Sequence, residues 1–351
     1  MLLAENADVE EEPAVRESGP PVGAGRSERY LIARYRTAAT DVKRTVHQAI
    51  GQFWTKGARL NRSALLVINM HSRSGKDSAR RATELLTEAG FALKVVDSPP
   101  AARLPSLIEH EGKEASVIIV GGGDGTLNAA AAGIHALGRP LGILPLGTAN
   151  DLARTLRIPF DLESAVEIIR DGVQRTIDLG TVNGHMFFNV ASVGISCDLA
   201  RELDPDVKRR FGRLGYAIAA IRVLGRAKPF RATIKTANET LRTTTLQIAV
   251  GNGRYYGGGN VIEEGAEIDD AILRLYSLEF ARAWKILLSF HRFRRGTHGN
   301  LEEVQTLHSD QIEIHTSRPR AVNADGELIT QTPAKFGVLR KAIQVFVPNK
   351  E

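Results

Sequence analysis

SVIIVGGGDGTLNAAAAGI, Ser116 to Ile134, is the stretch on which the fold turns. Its unbroken β-branched run, Val117 to Val120, reads as a strand buried on both faces. The run empties into Gly121, Gly122 and Gly123, then Asp124, Gly125 and Thr126, and then an alanine-rich helix. A strand that ends in a glycine turn at a helix N-terminus gathers backbone N–H groups lacking intrahelical partners at the positive end of a helix dipole. Such a junction receives phosphate. An acid inside a phosphate turn is costly unless something positive neutralises it, so Asp124 points to a metal ion accompanying the phosphate. The spacing excludes the two commonest phosphate loops. Thr126 stands where a GxGxxG frame needs glycine, and Gly75-Lys76 is followed by Asp77 where a Walker loop needs Ser or Thr.

Around this stretch, strands and helices alternate. The sequence predicts strands at Ala64–Ile68, at FALKVV and at LGILPLG, with helices over Ser78–Ala89, near Ala101–Glu111 and from Ala149 to Leu156. Alternation of this kind predicts a parallel sheet with helices on its faces and ligands at the carboxyl ends of the strands. GILPLGTANDLAR repeats the strand–turn–helix logic. Thr148 can offer a hydroxyl and an N–H to phosphate, and Asn150 or Asp151 is placed to cap the next helix. The two loops together predict one cleft.

After about Val173 the texture becomes that of a β-rich domain. Short strands are expected at Thr181–Ala191, Phe230–Thr236, Thr243–Gly251, Ile272–Leu278, Gln311–His315 and Ile343–Val347, with helices near Arg209–Val223 and Ala281–Phe293. The expected organisation is three-part. Residues 1–60 form a polar leader and a basic amphipathic helix (Tyr30 to Trp54) that can lie on an anionic membrane or pack on its own domain. Residues 63–172 form an α/β nucleotide-binding domain, completed by the C-terminal segment, and residues 173–345 a β-rich substrate domain.

Composition limits the classes. The 351 residues are 43% hydrophobic and 25% charged, as in an ordinary soluble protein. No window reaches ~18 uninterrupted apolar residues, so no transmembrane helix is expected. MLLAENADVEEEP lacks the basic-then-apolar order of a secretory signal. The single cysteine, Cys197, excludes an internal disulfide and a cysteine-rich zinc site and suits a reducing cytoplasm. A net charge of +6 favours anionic partners, although most such charge is simply a solvated surface.

GGGDGTLN followed by LGILPLGTANDLAR resembles the diacylglycerol-kinase-type catalytic domain shared by bacterial lipid kinases of the YegS type, diacylglycerol kinases and sphingosine kinases. IDLGTVNGHMFFNVASVGI, IAVGNGRYYGGGNVIEEGAEIDDAILRLYSL and VNADGELI follow in the family's order, so the resemblance covers Ala64 to the C-terminus. It implies an α/β domain like that of NAD kinases and phosphofructokinases, joined to a C-terminal β-sandwich with the active site in the cleft between them. It implies an ATP-dependent, magnesium-dependent kinase of a membrane-lipid hydroxyl such as that of diacylglycerol, phosphatidylglycerol or a sphingoid base. The enzyme would act at the cytoplasmic face in peripheral contact with an anionic membrane, and no nucleic acid partner is implied. Gly122, Gly123, Asp124, Gly125, Thr126, Leu127, Asn128 and Thr148 match nucleotide-binding positions, and an early contact falls near Asp97. Glu327 matches the proton acceptor. Asp270 matches a carboxylate of a magnesium site, with Glu267 and Ile272 contributing backbone carbonyls and Asp124 on the nucleotide side. Members usually carry glycine after that aspartate, where this chain has Ala271.

The chemistry agrees with those roles. Phosphoryl transfer needs a phosphate cradle, a divalent cation and a base that orients the attacking hydroxyl. VNADGEL is also an ordinary Asp-Gly hairpin signal. GNGRYYGGGN, Gly251 to Asn260, reads either as a rim at the lipid entrance or as a bulge and loop. WKILLSFHRFRRG can rest on an acidic bilayer or serve as a core helix with a basic end. Two rival functions keep the fold or the ligand but change the outcome. One is phosphorylation of a soluble acceptor, as in NAD kinases; the other is non-catalytic binding of nucleotide or anionic lipid.

Overall fold

The computed structural model describes residues 62–70, 75–202, 222–263, 265–279, 294–295 and 303–349. The helices expected at Tyr30–Trp54 and Ala281–Phe293, and that near Arg209–Val223 apart from its last two residues, lie outside the described residues.

The chain builds β1 (Arg62–Ile68), α1 (Gly75–Glu88), β2 (Phe91–Asp97), α2 (Leu104–Glu111), β3 (Val117–Gly122), α3 (Asp124–Leu137), β4 (Leu141–Pro145), α4 (Asp151–Thr155) and α5 (Leu162–Asp171). Strands β2-β1-β3-β4 pair in that order and all in parallel. Every residue of β3 and β4 is buried, as expected of strands covered on both faces. Gly133 of α3 lets the helices close on one another, since a β-carbon there would meet the Pro105 carbonyl of α2 at 2.6 Å.

There follow β5 (Val173–Val182), β6 (His185–Phe187), β7 (Val190–Gly194), α6 (Ile195–Glu202), β8 (Phe230–Lys235), β9 (Thr240–Thr245), β10 (Gln247–Gly251), β11 (Tyr255–Tyr256), β12 (Asn260–Val261), β13 (Leu273–Leu278), β14 (Val304–Ser309), β15 (Gln311–Thr316), β16 (Ala321–Ala324), β17 (Glu327–Gln331) and β18 (Ala334–Val347). A second sheet of order β14-β13-β10-β7-β16-β17 faces the strands β8, β9, β15 and β18. Phe187, Val193, Ile248, Val250, Leu275, Ile312, Ile314, Val322 and Phe336 fill the space between as a sandwich core.

The two halves share a sheet. Strand β18 pairs with β15 over Ala334–Gly337, and at its far end Val345 sits beside Leu141 of β4 in parallel. The described residues thus form one ten-stranded sheet that runs from the parallel strands into the sandwich. The expected strand Ile343–Val347 is the end of this longer one, and a register shift between Leu339 and Ile343, with Lys341 at φ 51°, lets it bend from one half into the other.

Two single-strand expectations are corrected. Thr181–Ala191 breaks twice, first at Asn183-Gly184, whose φ values of 48° and 86° make a tight hairpin turn, and again before β7. Thr243–Gly251 breaks at Leu246, where the chain passes from β9 in the first sheet to β10 in the second.

Candidate active site

The cleft is lined by two loops that touch through their glycines. Leu146 donates its N–H to the Gly122 carbonyl at 3.0 Å, extending the β3–β4 ladder past its end. Beyond it a β-carbon on Gly147 would lie 2.4 Å from the α-carbon of Gly123, so no side chain fits at that crossing. Gly122 is required for a different reason. A β-carbon there would overlap the Thr126 side chain at 2.7 Å. Helix α3 starts at Asp124, and Gly123 gives its first amides no side-chain cap.

Asp124 accepts the Leu152 N–H at 3.0 Å and thereby caps α4 from the neighbouring loop. The sequence expectation gave that duty to Asn150 or Asp151, and both have other work. Asn150, at φ 50°, accepts the Gly147 N–H at 2.9 Å and donates to the Pro145 and Gly147 carbonyls, bracing its own loop. Asp151 is 4% exposed and accepts the Gly258 N–H at 2.8 Å. Burial pushes the Asp151 carboxyl above its ordinary range and nearby Asp124 adds to the rise, against the opposing Gly258 amide.

The opposite wall comes from the sandwich. Strands β16 and β17 are joined by Asp325-Gly326, with φ values of 47° and 99°, so VNADGEL is indeed a hairpin turn. The turn also aims a carboxylate. Glu327 is exposed, and its Oε1 lies 3.7 Å from the point where a β-carbon on Gly125 would stand. Asp325 fixes the turn by accepting the N–H groups of Phe188 (2.7 Å), Asn189 (3.1 Å) and Val190 (3.0 Å). Burial, with a smaller contribution from Asp124, pushes its carboxyl up to about 7, although these three donors act in the opposite sense.

The glycine loop is seated rather than free. Strands β11 and β12 form a two-residue hairpin turned by Gly257, Gly258 and Gly259, all with positive φ. It rests on α4 through the Gly258–Asp151 bond, and Arg154 of α4 lies 5.9 Å from the Tyr255 ring. At the loop's start, buried Asn252 donates to the Asp178 and Phe188 carbonyls, and its own N–H goes to Asn189.

Other candidate positions differ in what they present. Thr148 is exposed at its loop tip, Thr126 half-buried against Gly122, and the Asn128 Oδ1 is buried without a hydrogen-bond partner. The Leu127 side chain is in the core and its N–H goes to Gly123, so it supports the turn from behind. Asp97 accepts the Met70 N–H at 3.0 Å and ties β2 to the loop after β1.

The proposed magnesium ligands are arranged otherwise than expected. Asp270 Oδ2 lies 2.5 Å from Arg274 Nη2, its Oδ1 accepts the Ile272 N–H, and the Ile272 carbonyl accepts from Arg274 Nη1 at 3.4 Å. The Glu267 carboxylate is 2.8 Å from Arg175. Arg274 already engages the Asp270 carboxylate and the Ile272 carbonyl, so these two oxygens do not fit a hard cation that demands several uncommitted ones. No group of three His, Cys, Asp or Glu among the described residues is arranged to hold a metal.

The sequence reading passed over Asp325 as a clamp, Asp151 as a link to the glycine loop, and Asn252. Asp-Gly and Gly-Asn-Gly report a turn, but the partners of their side chains lie more than a hundred or about sixty residues away.

The strand-end loops of a parallel sheet thus face a carboxylate from a β-sandwich. Comparisons with known proteins define the class. The profile of the diacylglycerol kinase catalytic domain matches residues 63–182, and that of the YegS C-terminal NAD kinase beta sandwich-like domain matches 189–347. The chain is 31% identical to a probable YegS-like lipid kinase of Pectobacterium atrosepticum over 82% of its own length and 97% of the relative. It is 29% identical to a diacylglycerol kinase of Bacillus subtilis over 69% of its length and 82% of that protein. A crystal structure of a diacylglycerol kinase from Bacillus anthracis superposes with a TM-score of 0.69 over 82% of this chain and 97% of that one, at 23% identity, a likeness of fold. The chain belongs to the diacylglycerol kinase catalytic-domain family and is a lipid kinase of that family.

Proposed function

We propose that the enzyme transfers the γ-phosphoryl group of ATP to a hydroxyl of a membrane lipid in the cleft between Gly123–Thr126 and Glu327. The observation that carries this reading is the approach of Glu327 Oε1 to Gly125, which sets a carboxylate across from the amides of a helix N-terminus. The triphosphate lies along Gly122–Asn128 and the Gly147–Thr148 loop, where the crossing of Gly123 and Gly147 leaves no room for a side chain between phosphate and backbone. Glu327 accepts the proton of the lipid hydroxyl as its oxygen bonds to the γ-phosphorus, while the bond from that phosphorus to the β–γ bridging oxygen breaks and ADP leaves with the electron pair. Magnesium would supply charge neutralisation on the phosphates, and Asp124 is the residue that would hold it on the nucleotide side.

Diacylglycerol, phosphatidylglycerol and sphingoid bases all present a hydroxyl at the bilayer surface, and the cytoplasmic leaflet is where ATP and lipid meet. The basic balance of the chain, +6, suits peripheral contact with anionic lipid. Among the described residues no helix is long and apolar enough to cross a membrane. Incubating the protein with labelled ATP and vesicles carrying each lipid class tests the proposal. Label in a lipid supports it, label in NADP when NAD is supplied replaces the acceptor, and label in none of a broad panel overturns it.

A further inference from the structure

We infer that the guanidinium of Arg274 is the built-in cation of the 267–272 loop and stands where the family resemblance puts a magnesium ion. The inference does not depend on the kinase reading, because it concerns what neutralises this loop and its test involves no turnover.

Three observations meet on one side chain. Arg274 leaves β13 two residues beyond Ile272 and is only 12% exposed. Its Nη2 lies 2.5 Å from Asp270 Oδ2 and its Nη1 3.4 Å from the Ile272 carbonyl oxygen, so it spans two of the oxygens expected to bind magnesium. Its Nε is 3.0 Å from Glu263 Oε2, close enough for an ion pair though out of hydrogen-bond alignment. The third expected contributor is the backbone carbonyl of Glu267, whose side chain pairs, with that of Asp269, to Arg175.

The backbone around this side chain is held independently. Asp178 is 2% exposed, and its two oxygens accept the N–H groups of Ala271 (2.8 Å) and Lys341 (2.6 Å). Both donors have positive φ, 60° and 51°. The loop therefore keeps its curvature without an ion to gather it.

A guanidinium offers a planar fork of donors that matches a carboxylate, and here it supplies Asp270 with its counter-charge. Magnesium demands near-octahedral oxygens at roughly 2.0–2.1 Å and would meet this positive group at the same atoms. It could enter only after expelling a largely buried arginine. The loop is thus assembled in the absence of divalent metal.

The test uses the full chain without nucleotide. Manganese binding followed by electron paramagnetic resonance should show no stoichiometric site that Asp270→Asn removes, and the melting temperature should be the same in chelator and in millimolar magnesium. In Arg274→Ser the vacated oxygens should gain a manganese site, and magnesium should raise that variant's melting temperature. A stoichiometric manganese site in the wild type that Asp270→Asn abolishes would overturn the inference. So would a folded Arg274→Ser protein that acquires no site. If that variant does not fold, the two wild-type measurements decide alone.

Discussion

The Asp124 carboxylate and the Leu152 amide, 3.0 Å apart, join the two loops of the cleft. One acid at the start of α3 caps α4, so the glycine turn and the GTAND loop are set as a unit. Asp124→Ala should lower stability by about 1 kcal/mol, the usual cost of a lost helix cap. Asp124→Asn keeps an acceptor oxygen and should retain most of that stability while losing turnover with ATP and magnesium. Urea unfolding beside a kinase assay separates the two duties.

The crossing of Gly123 and Gly147 predicts a steric effect. Gly147→Ala places a β-carbon 2.4 Å from the Gly123 α-carbon and 2.7 Å from Asn150 Oδ1. Forcing the loops apart should cost about 1–3 kcal/mol. Misplacing the phosphate amides should also weaken ATP binding, measured by calorimetry. Gly265→Ala, where a β-carbon meets nothing within 4 Å, should leave both unchanged.

Ala271 at φ 60° occupies a conformation that disfavours a β-carbon, at the position where the family resemblance implies glycine. Ala271→Gly should therefore stabilise the enzyme, by on the order of 1 kcal/mol after the greater chain entropy of glycine is allowed for. Calorimetric melting checks the sign.

Asp325 predicts a pH dependence. Its folded value of about 7 lies above the unfolded value near 4, so between these limits the folded chain holds a proton that the unfolded chain lacks. The carboxyl's contribution to stability is thus greatest below about pH 4 and declines as pH rises through 7. The stability gap between wild type and Asp325→Asn should be wider at pH 5 than at pH 8 in urea titrations. A gap that widens with pH would show instead that the three amide donors from Phe188, Asn189 and Val190 dominate.

Local pattern carried much of this. Val117–Val120 and Leu141–Leu144 are apolar runs ending in glycine turns, and they appear as parallel strands with their loops together. The resemblance, not the local pattern, set Glu327 in the cleft, because Asp-Gly by itself specifies only a hairpin. What stayed hidden depends on distant partners. No local signal says that Asp124 caps Leu152 or that Asp151 turns to Gly258, since each pairing exists only once separate elements have packed. The long β18 was obscured for a similar reason. Its middle, Val338 to Lys341, lacks a clear alternation, and the bend there comes from its change of neighbours along the sheet.

The central claim is that Glu327 accepts the proton of the lipid hydroxyl. Glu327→Gln is exposed at the surface of the cleft and should fold and bind ATP as wild type does. With labelled ATP and a lipid that the wild type phosphorylates, kcat should fall by roughly 10²–10⁴-fold, the usual contribution of a positioned general base. Wild-type kcat in Glu327→Gln on the same vesicles would contradict the account.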